Sequence, residues 1–157
     1  MKAIHWIIAA AALASVQPTP ASAGVNDPEV IIYRVPGVRD DGGGTGVGVA
    51  TVFVCTNFSG AEEILRFVVR GSNGAILQNS GGNIFHLETR TKSTHPTNLF
   101  SLSAFLNTGA VSQGTVAIAA TSLNIICTAM IVDAAATSPQ GIALRMIRFN
   151  PVPGSQE

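Results

Sequence analysis

The sequence predicts an all-β fold, an antiparallel β-sandwich of about seven or eight short strands. Segments rich in Val, Ile and Phe recur along the chain, and most of them alternate apolar with polar residues. Turn residues, chiefly Gly, Asn, Ser and Pro, separate these segments. Strands do not alternate with long helical patterns, as they would in a parallel α/β sheet. These three observations together favour two packed antiparallel sheets.

The first 23 residues are expected to be a cleaved signal peptide rather than part of the fold. Lys2 gives a short positive end, about 14 mostly apolar residues follow, and an Ala-Ser-Ala triplet ends the segment. The apolar stretch is shorter than the roughly 20 residues of a membrane-spanning helix. Cleavage would leave residues 24–157 as a single exported domain, with a loose tail at 151–157. The expected location is the periplasm or the extracellular medium.

The first half of this domain contains three well-marked segments. Residues 29–40 predict a strand, and Pro36, which has no N–H group, indicates an edge strand or a strand that ends there. Residues 47–58 are apolar on both faces, as a central strand is. Residues 62–80 alternate around Asn73-Gly74 and predict a hairpin.

The second half contains further strands and one place where a helix competes. Residues 83–95 alternate in polarity and predict another strand. Near 98–106 three leucines have helical spacing, so we expect at most one short helix there. Two strands follow within 112–135, and a last strand lies within 138–151.

Composition and charge exclude several function classes. After residue 23 the chain has eight Lys and Arg against nine Asp and Glu, and they form no basic patch, so nucleic acid is not an expected partner. No later stretch is apolar enough to span a membrane. The glycine run at 40–48 has neither the dinucleotide nor the P-loop spacing. We therefore expect no cofactor.

The two cysteines, Cys55 and Cys127, both lie in apolar strands and both precede a Thr. An even pair in an exported protein predicts one disulfide. The alternatives fit less well, because a zinc site usually shows C-x-x-C spacing and a catalytic thiol needs a polar, electropositive setting. The sequence leaves open whether the bridge crosses between the sheets or joins neighbouring strands.

Several pieces carry a resemblance to a broader group. They are the V-x-V-C-T-N strand at 52–57, the Asn73-Gly74 turn, the strand 114–122 and the I-C-T-A motif at 126–129. In these pieces the chain resembles uncharacterised exported bacterial proteins with immunoglobulin-like sandwiches. The resemblance implies that fold and carries no activity. Trp is absent after residue 23, so the Cys-Trp-Cys signature of antibody domains is missing.

Few combinations of acidic residues and histidines in this sequence could form a metal or catalytic site. His86 and Glu88 would share one strand face and, with Asp133, are the alternative candidates for a metal or general-base site. The simpler interpretation is a surface histidine beside a surface acid. Adjacent residues on a strand face opposite ways, so Glu62 and Glu63 are expected at a solvated loop edge.

Four arginines form a second candidate site. Two lie on the predicted hairpin and two on the last strand: Arg66, Arg70, Arg145 and Arg148. If the hairpin and the last strand are neighbours, these side chains would make a basic face for an acidic glycan or a protein partner. The simpler interpretation is that they are polar faces of half-exposed strands or edge charges that prevent aggregation.

Three functional hypotheses follow. The first is an exported binding or structural component of the envelope or secretome without catalysis, because no catalytic constellation is evident in the sequence. The second is a small exported enzyme or inhibitor whose site is built from the loops at 39–46 and 92–99, and it requires that these loops meet. The third is a subunit of a surface assembly that pairs edge strands, and it requires an uncovered sheet edge.

Overall fold

The structure, a computed structural model, describes residues 24–100, 104–138 and 140–149. The expected signal peptide at 1–23 and the expected tail at 151–157 lie outside the described residues. The described strands are β1 Val30–Asp40, β2 Val49–Asn57, β3 Glu63–Arg70, β4 Ile76–Ile84, β5 Thr89–Ser93, β6 Ala104–Phe105, β7 Val111–Ala120, β8 Ile125–Asp133, β9 Gly141–Ala143 and β10 Ile147–Arg148.

These strands form two packed sheets of five strands each. Sheet A has the order β10-β1-β7-β3-β4, and sheet B has the order β6-β5-β2-β8-β9. Every described strand pair is antiparallel except the short pair β5–β6. The predicted antiparallel β-sandwich is therefore confirmed.

Strands β2 and β7 are central, and for β2 its two apolar faces predicted this position. β2 lies between β5 and β8, and β7 lies between β1 and β3. The two sheets meet at Phe53 and Phe67, whose rings are fully buried with centroids 5.7 Å apart. Inward side chains of both sheets complete the core, and its largest aliphatic members are Ile32, Leu65, Ile84, Leu106, Ile118 and Ile125.

Strand β1 is an edge strand over part of its length only. β10 pairs with it at Tyr33 and Arg34, and Pro36 lies beyond that short pairing. This agrees with the expectation that Pro36 stands where one side of the strand is unpaired. A register shift between Ile31 and Tyr33 interrupts the strict alternation of the strand, so Ile32 and Tyr33 are both buried.

The predicted hairpin is present as β3 and β4. The Gly71 N–H donates to the Ala75 carbonyl at 3.0 Å, and the Asn73 side chain accepts from the Ala75 N–H at 3.0 Å. Gly74 has a φ of 80°, which a glycine adopts without steric cost. The turn chemistry read from the sequence therefore sets the register of this hairpin.

The short helix expected near 98–106 is wrong for the residues that the structure describes there. Ala104 and Phe105 form β6, parallel to β5, and residues 101–103 lie outside the described residues. Leu106 is fully buried between the sheets, whereas Leu99 packs on the outer face of sheet B. Leu99 and Leu106, two of the leucines with helical spacing, therefore pack in two different hydrophobic clusters. The described residues contain no helix long and apolar enough to cross a membrane.

Candidate functional site

Cys55 and Cys127 form the predicted disulfide. They are direct register partners on β2 and β8, and their Cα atoms are 4.1 Å apart. The bridge therefore joins neighbouring strands of sheet B and does not reach sheet A. In antibody domains the conserved bridge crosses between the sheets, so the position here is different. Both cysteines are buried, and this pairing leaves neither thiol available as a nucleophile or a metal ligand.

The loops at 39–46 and 92–99 converge at one end of the sandwich, as the second hypothesis requires. His95 Nδ1 lies 2.7 Å from Asp40 Oδ2, and both side chains are almost fully buried. The N–H of Gly46 donates to the Pro96 carbonyl at 3.0 Å. We call the cluster of Asp40, Asp41 and His95 the loop hub.

Both ring nitrogens of His95 in the loop hub face acceptors. Nδ1 meets the Asp40 carboxylate, and Nε2 lies 3.1 Å from the Val47 carbonyl oxygen. A carbonyl oxygen only accepts, so Nε2 donates to Val47, and Nδ1 makes the second hydrogen bond with the Asp40 carboxylate. Because both ring nitrogens are engaged within the fold, the ring has no lone pair to offer a substrate.

The loop hub also brings three metal-binding side chains together, with ligand atoms within 4.8 Å of one another. However, each carboxylate oxygen of Asp40 and Asp41 already accepts a hydrogen bond. The backbone N–H groups of Val49 and Gly43 lower the pKa of Asp41. A cation would have to compete with these bonds, so the loop hub fits a structural clasp better than a metal centre.

The alternative metal candidates His86, Glu88 and Asp133 are not brought together. Asp133 pairs with Val49 at one end of β2, whereas Asn57 at the other end bonds to the backbone of Glu88. At about 3.3 Å per residue these ends are roughly 26 Å apart. His86 and Glu88 also do not share a strand face, because residues 85–88 form the turn between β4 and β5.

The two polar side chains of that turn, His86 and Glu88, each have a hydrogen-bond partner. His86 Nδ1 accepts from the Gly60 N–H at 3.0 Å, and Glu88 accepts from the Phe85 N–H at 2.8 Å. Burial acts to raise the pKa of Glu88, but the bonds from Phe85 and Arg90 together hold it below its usual value. The hydrogen bonds of His86 and Glu88 therefore stabilise this turn.

The four arginines do not form the single basic face that the sequence allowed. β3 carries Arg66 and Arg70, and it is separated from β10 by β7 and β1. Arg66 is paired with Glu29 at 2.6 Å, and Arg70 donates to the Gly74 carbonyl at 2.9 Å. Arg148 lies at the far edge of the same sheet, over the ring of Tyr33, and Arg145 is exposed between β9 and β10.

Glu63, expected at a solvated edge, is instead fully buried. Its Oε2 accepts from the Thr121 hydroxyl, which itself accepts from the Ile64 N–H at 3.0 Å. Its Oε1 has no hydrogen-bond partner among the described groups. Alternation placed Glu62 and Glu63 on opposite faces correctly, but the sequence did not show that one of those faces was the interior.

A polar seam between β4 of sheet A and β5 of sheet B was not predicted. Lys92 Nζ lies 2.8 Å from Ser80 Oγ and 5.6 Å from the centroid of the Phe67 ring. Lys92 is 5% exposed. Burial lowers its pKa, and the charge of Arg90 adds to that effect. Nothing in the sequence linked these residues, because Ser80 and Lys92 lie on strands of different sheets.

Strand β4 is the longest edge strand that the structure describes. It has nine residues, whereas the other edges are formed by β6, β9 and β10, with two or three residues each. The Asn79 N–H bonds to the Gln78 side chain at 2.8 Å, so it points away from β3. By the period of two in an antiparallel ladder, the N–H groups of Gly81 and Asn83 also point outward, whereas a register shift between Ile76 and Gln78 interrupts the period at Leu77.

Comparisons with known proteins do not add to this description. No family model matches the chain, and no curated protein or solved structure matches it either. The fold and its contacts are therefore the basis for a functional proposal.

Proposed function

We propose that the protein is an exported structural subunit whose edge strand β4 pairs with β4 of a second copy. The observation that carries the proposal is the uncharged edge of β4, along which no other described strand pairs and where the Gln78 side chain must give up the Asn79 N–H before a second copy can bind. Its sequence, ILQNSGGNI, contains no Lys, Arg, Asp, Glu or Pro. Proteins usually blunt exposed edges with charges, proline or very short strands, and β4 has none of these devices.

The apolar residues around β4 favour a second copy as the occupant. Ile76 and Leu77 at its start are 53% and 39% exposed, and Phe85 and Leu87 just after its end are 58% and 62% exposed. Apart from the buried Ile84, the residues between them are polar or glycine. Antiparallel strands align the start of one with the end of the other, so two copies would place apolar residues against apolar residues at both ends.

The outward N–H groups specify one register for this pairing. By the period of two, residues 79, 81 and 83 present their backbone groups to the edge, so the register that joins them is centred on Gly81. Gly81 would face Gly81 of the second copy, Asn79 would face Asn83, and Leu77 would face Phe85. No residue of β4 itself is charged, and the Arg66 guanidinium that lies against Gly81 is already paired with Glu29.

Export supports the same proposal. The N-terminal segment has the order of a signal peptide, and the Cys55–Cys127 disulfide suits an oxidising compartment. Surface assemblies outside the cytosol commonly use strand addition between subunits. We therefore place the subunit in the periplasm or outside the cell, with a protein rather than a glycan as its partner.

The test is the molar mass of the purified protein over a concentration series, measured by light scattering after size exclusion. We expect a dimer that Leu77→Lys converts to a monomer, since a lysine there replaces an apolar contact. The matched control is Leu123→Lys, because Leu123 is 42% exposed and lies in the loop between β7 and β8. It should leave the dimer intact.

A second measurement tests the register. Gly81→Cys should give a disulfide-linked dimer on mild oxidation, because residue 81 lies on the two-fold axis. Ser112→Cys, on an exposed position of β7, should not. A protein that stays monomeric at all concentrations, or a dimer unaffected by Leu77→Lys, would refute the proposal.

A further inference from the structure

Ser80 and Lys92 form a hydroxyl–amine pair inside the polar seam between β4 and β5. We propose that this pair is an acyl-transfer site, in which Ser80 is the nucleophile, Lys92 is its base, and the substrate class is esters or other activated acyl compounds. This inference does not depend on β4 pairing, because a small acyl donor needs access to one hydroxyl only.

The geometry meets the requirement for an activated nucleophile. Ser80 Oγ and Lys92 Nζ are 2.8 Å apart, within the range that proton transfer needs. The Phe67 ring lies against the amine and acts as the third group that fixes its position. Lysine in place of histidine as the base of a serine nucleophile is a recognised variant of the catalytic triad.

The environment of Lys92 shifts its ionisation towards the neutral amine that a base must be. Lysine is almost never buried without a carboxylate, yet no acid contacts Lys92 in the part of the chain that the structure describes. Its recorded partners are a hydroxyl and an aromatic ring. Burial and the nearby charge of Arg90 both lower its pKa, and a desolvated lysine is suited to general-base work.

Ser80 is partly accessible, and a guanidinium lies nearby whose Nε and Nη2 bind Glu88 while its Nη1 faces β4. Ser80 is half-buried, and the two residues that follow it are glycines. A Cβ added at Gly82 would lie 3.2 Å from Arg90 Nη1, so the guanidinium lies beside this stretch of β4. A cation there can stabilise the negative charge that develops on a carbonyl oxygen during attack.

The chemistry balances with an acyl donor and water as the co-reactants. Ser80 Oγ forms a bond to the carbonyl carbon as its proton moves to Lys92 Nζ. The bond to the leaving oxygen breaks, and that oxygen departs with the electron pair and takes the proton from Lys92. Water then gives a proton to Lys92 and adds to the acyl carbon. Ser80 leaves with that proton, which restores both groups.

The test uses p-nitrophenyl acetate as the acyl donor, with intact mass and peptide mapping as the readouts. We expect one acetyl group on Ser80, formed about 100-fold faster than in Lys92→Arg, because arginine keeps the positive charge but cannot accept the proton. Ser80→Ala should lose the acetyl group, and Ser112→Ala, at an exposed serine on β7, should keep it.

Two results would overturn the inference. One is acetylation at sites other than Ser80, including Lys92, which is the only lysine after residue 2. The other is an equal rate in Lys92→Arg. If Lys92→Arg does not fold, peptide mapping of the unaltered protein is the test. An absence of acetyl on Ser80 there would contradict the inference directly. Leu77→Lys should abolish β4 pairing but leave acetylation of Ser80 unchanged. The acyl-transfer inference and the proposed dimer can therefore be refuted independently of each other.

Discussion

Removing the disulfide should destabilise the protein strongly without changing its fold. The bridge closes a loop of 72 residues in sequence. In the chain-entropy model such a loop is worth about 4.4 kcal/mol at 25 °C, because the cross-link restricts the unfolded chain. For a domain of roughly 130 residues the unfolding entropy is about 0.27 kcal/mol/K, so the melting temperature should fall by about 16 °C.

The structure predicts which properties of the double variant Cys55→Ala, Cys127→Ala will change. β2 and β8 remain paired along nine register positions, so the native spectrum should be kept. The unfolded chain becomes less compact, and the urea m-value should therefore rise. Urea unfolding followed by fluorescence and far-ultraviolet circular dichroism measures both quantities.

The matched control is the unaltered protein under reducing conditions, which loses the cross-link but keeps both sulfur atoms. Its loss of stability should account for most of the loss in the double variant. A loss smaller than about 1 kcal/mol in both samples would refute the entropic argument, since the loop length alone sets that term. It would mean that the unfolded chain already holds β2 near β8.

Further predictions concern two ion pairs and one buried lysine. Asp40→Asn should lower the free energy of unfolding by about 1–3 kcal/mol in urea titrations, because it leaves the buried ring of His95 without a carboxylate. Glu29→Gln should cost only about 0.2–1 kcal/mol in the same assay, because the pair with Arg66 is partly exposed. Lys92→Met should be more stable than the unaltered protein near pH 7. Folding lowers the pKa of Lys92, so just below pH 10.5 the unfolded chain binds a proton that the folded chain has lost. The stability of the unaltered protein therefore rises with pH in this range. The difference in stability between Lys92→Met and the unaltered protein should shrink as the pH rises towards 10.5. A constant difference from pH 7 to 10.5 would contradict it.

Local patterns predicted the parts of the fold that local forces decide. The β3–β4 hairpin followed from Asn73-Gly74, whose turn geometry needs a positive φ at Gly74. The central position of β2 followed from its two apolar faces. The disulfide followed from an even pair of cysteines and an expected export route. In each case a few neighbouring residues, or a count, carried the information.

The turn at 85–88 shows where local patterns fail. Its sequence contains no Gly or Pro, and its alternation continues that of a strand. Leu87 nevertheless has a φ of 62°, which a leucine rarely adopts. The Leu87 N–H donates to the Asn57 carbonyl, and the Asn57 N–H donates to the carbonyl of the next turn residue, Glu88. These bonds hold the turn in place, and they form only when β2 is in place. A tertiary contact therefore overrides the local preference, and the predicted shared face of His86 and Glu88 is lost.

The candidate sites were beyond local patterns for a similar reason. Asp40 and His95 are 55 residues apart, and Ser80 and Lys92 meet only because β4 and β5 lie in opposite sheets. The sequence identified the loops that carry the loop hub, but it did not pair their side chains. Such pairings depend on strand order, which hydrophobic periodicity does not encode.

The loop hub also has a consequence for how the protein resists proteolysis. The glycine run after Asp41 resembles a floppy linker, the kind of segment that proteases cut first. Yet the N–H groups of Gly42, Gly43 and Gly46 are all bonded, two of them to the aspartates of the hub and one to Pro96. A protease must unwind a segment before cleaving it, and here that means breaking a buried histidine–carboxylate contact first. The glycines thus let the chain turn tightly around the loop hub without leaving a segment that proteases cut easily.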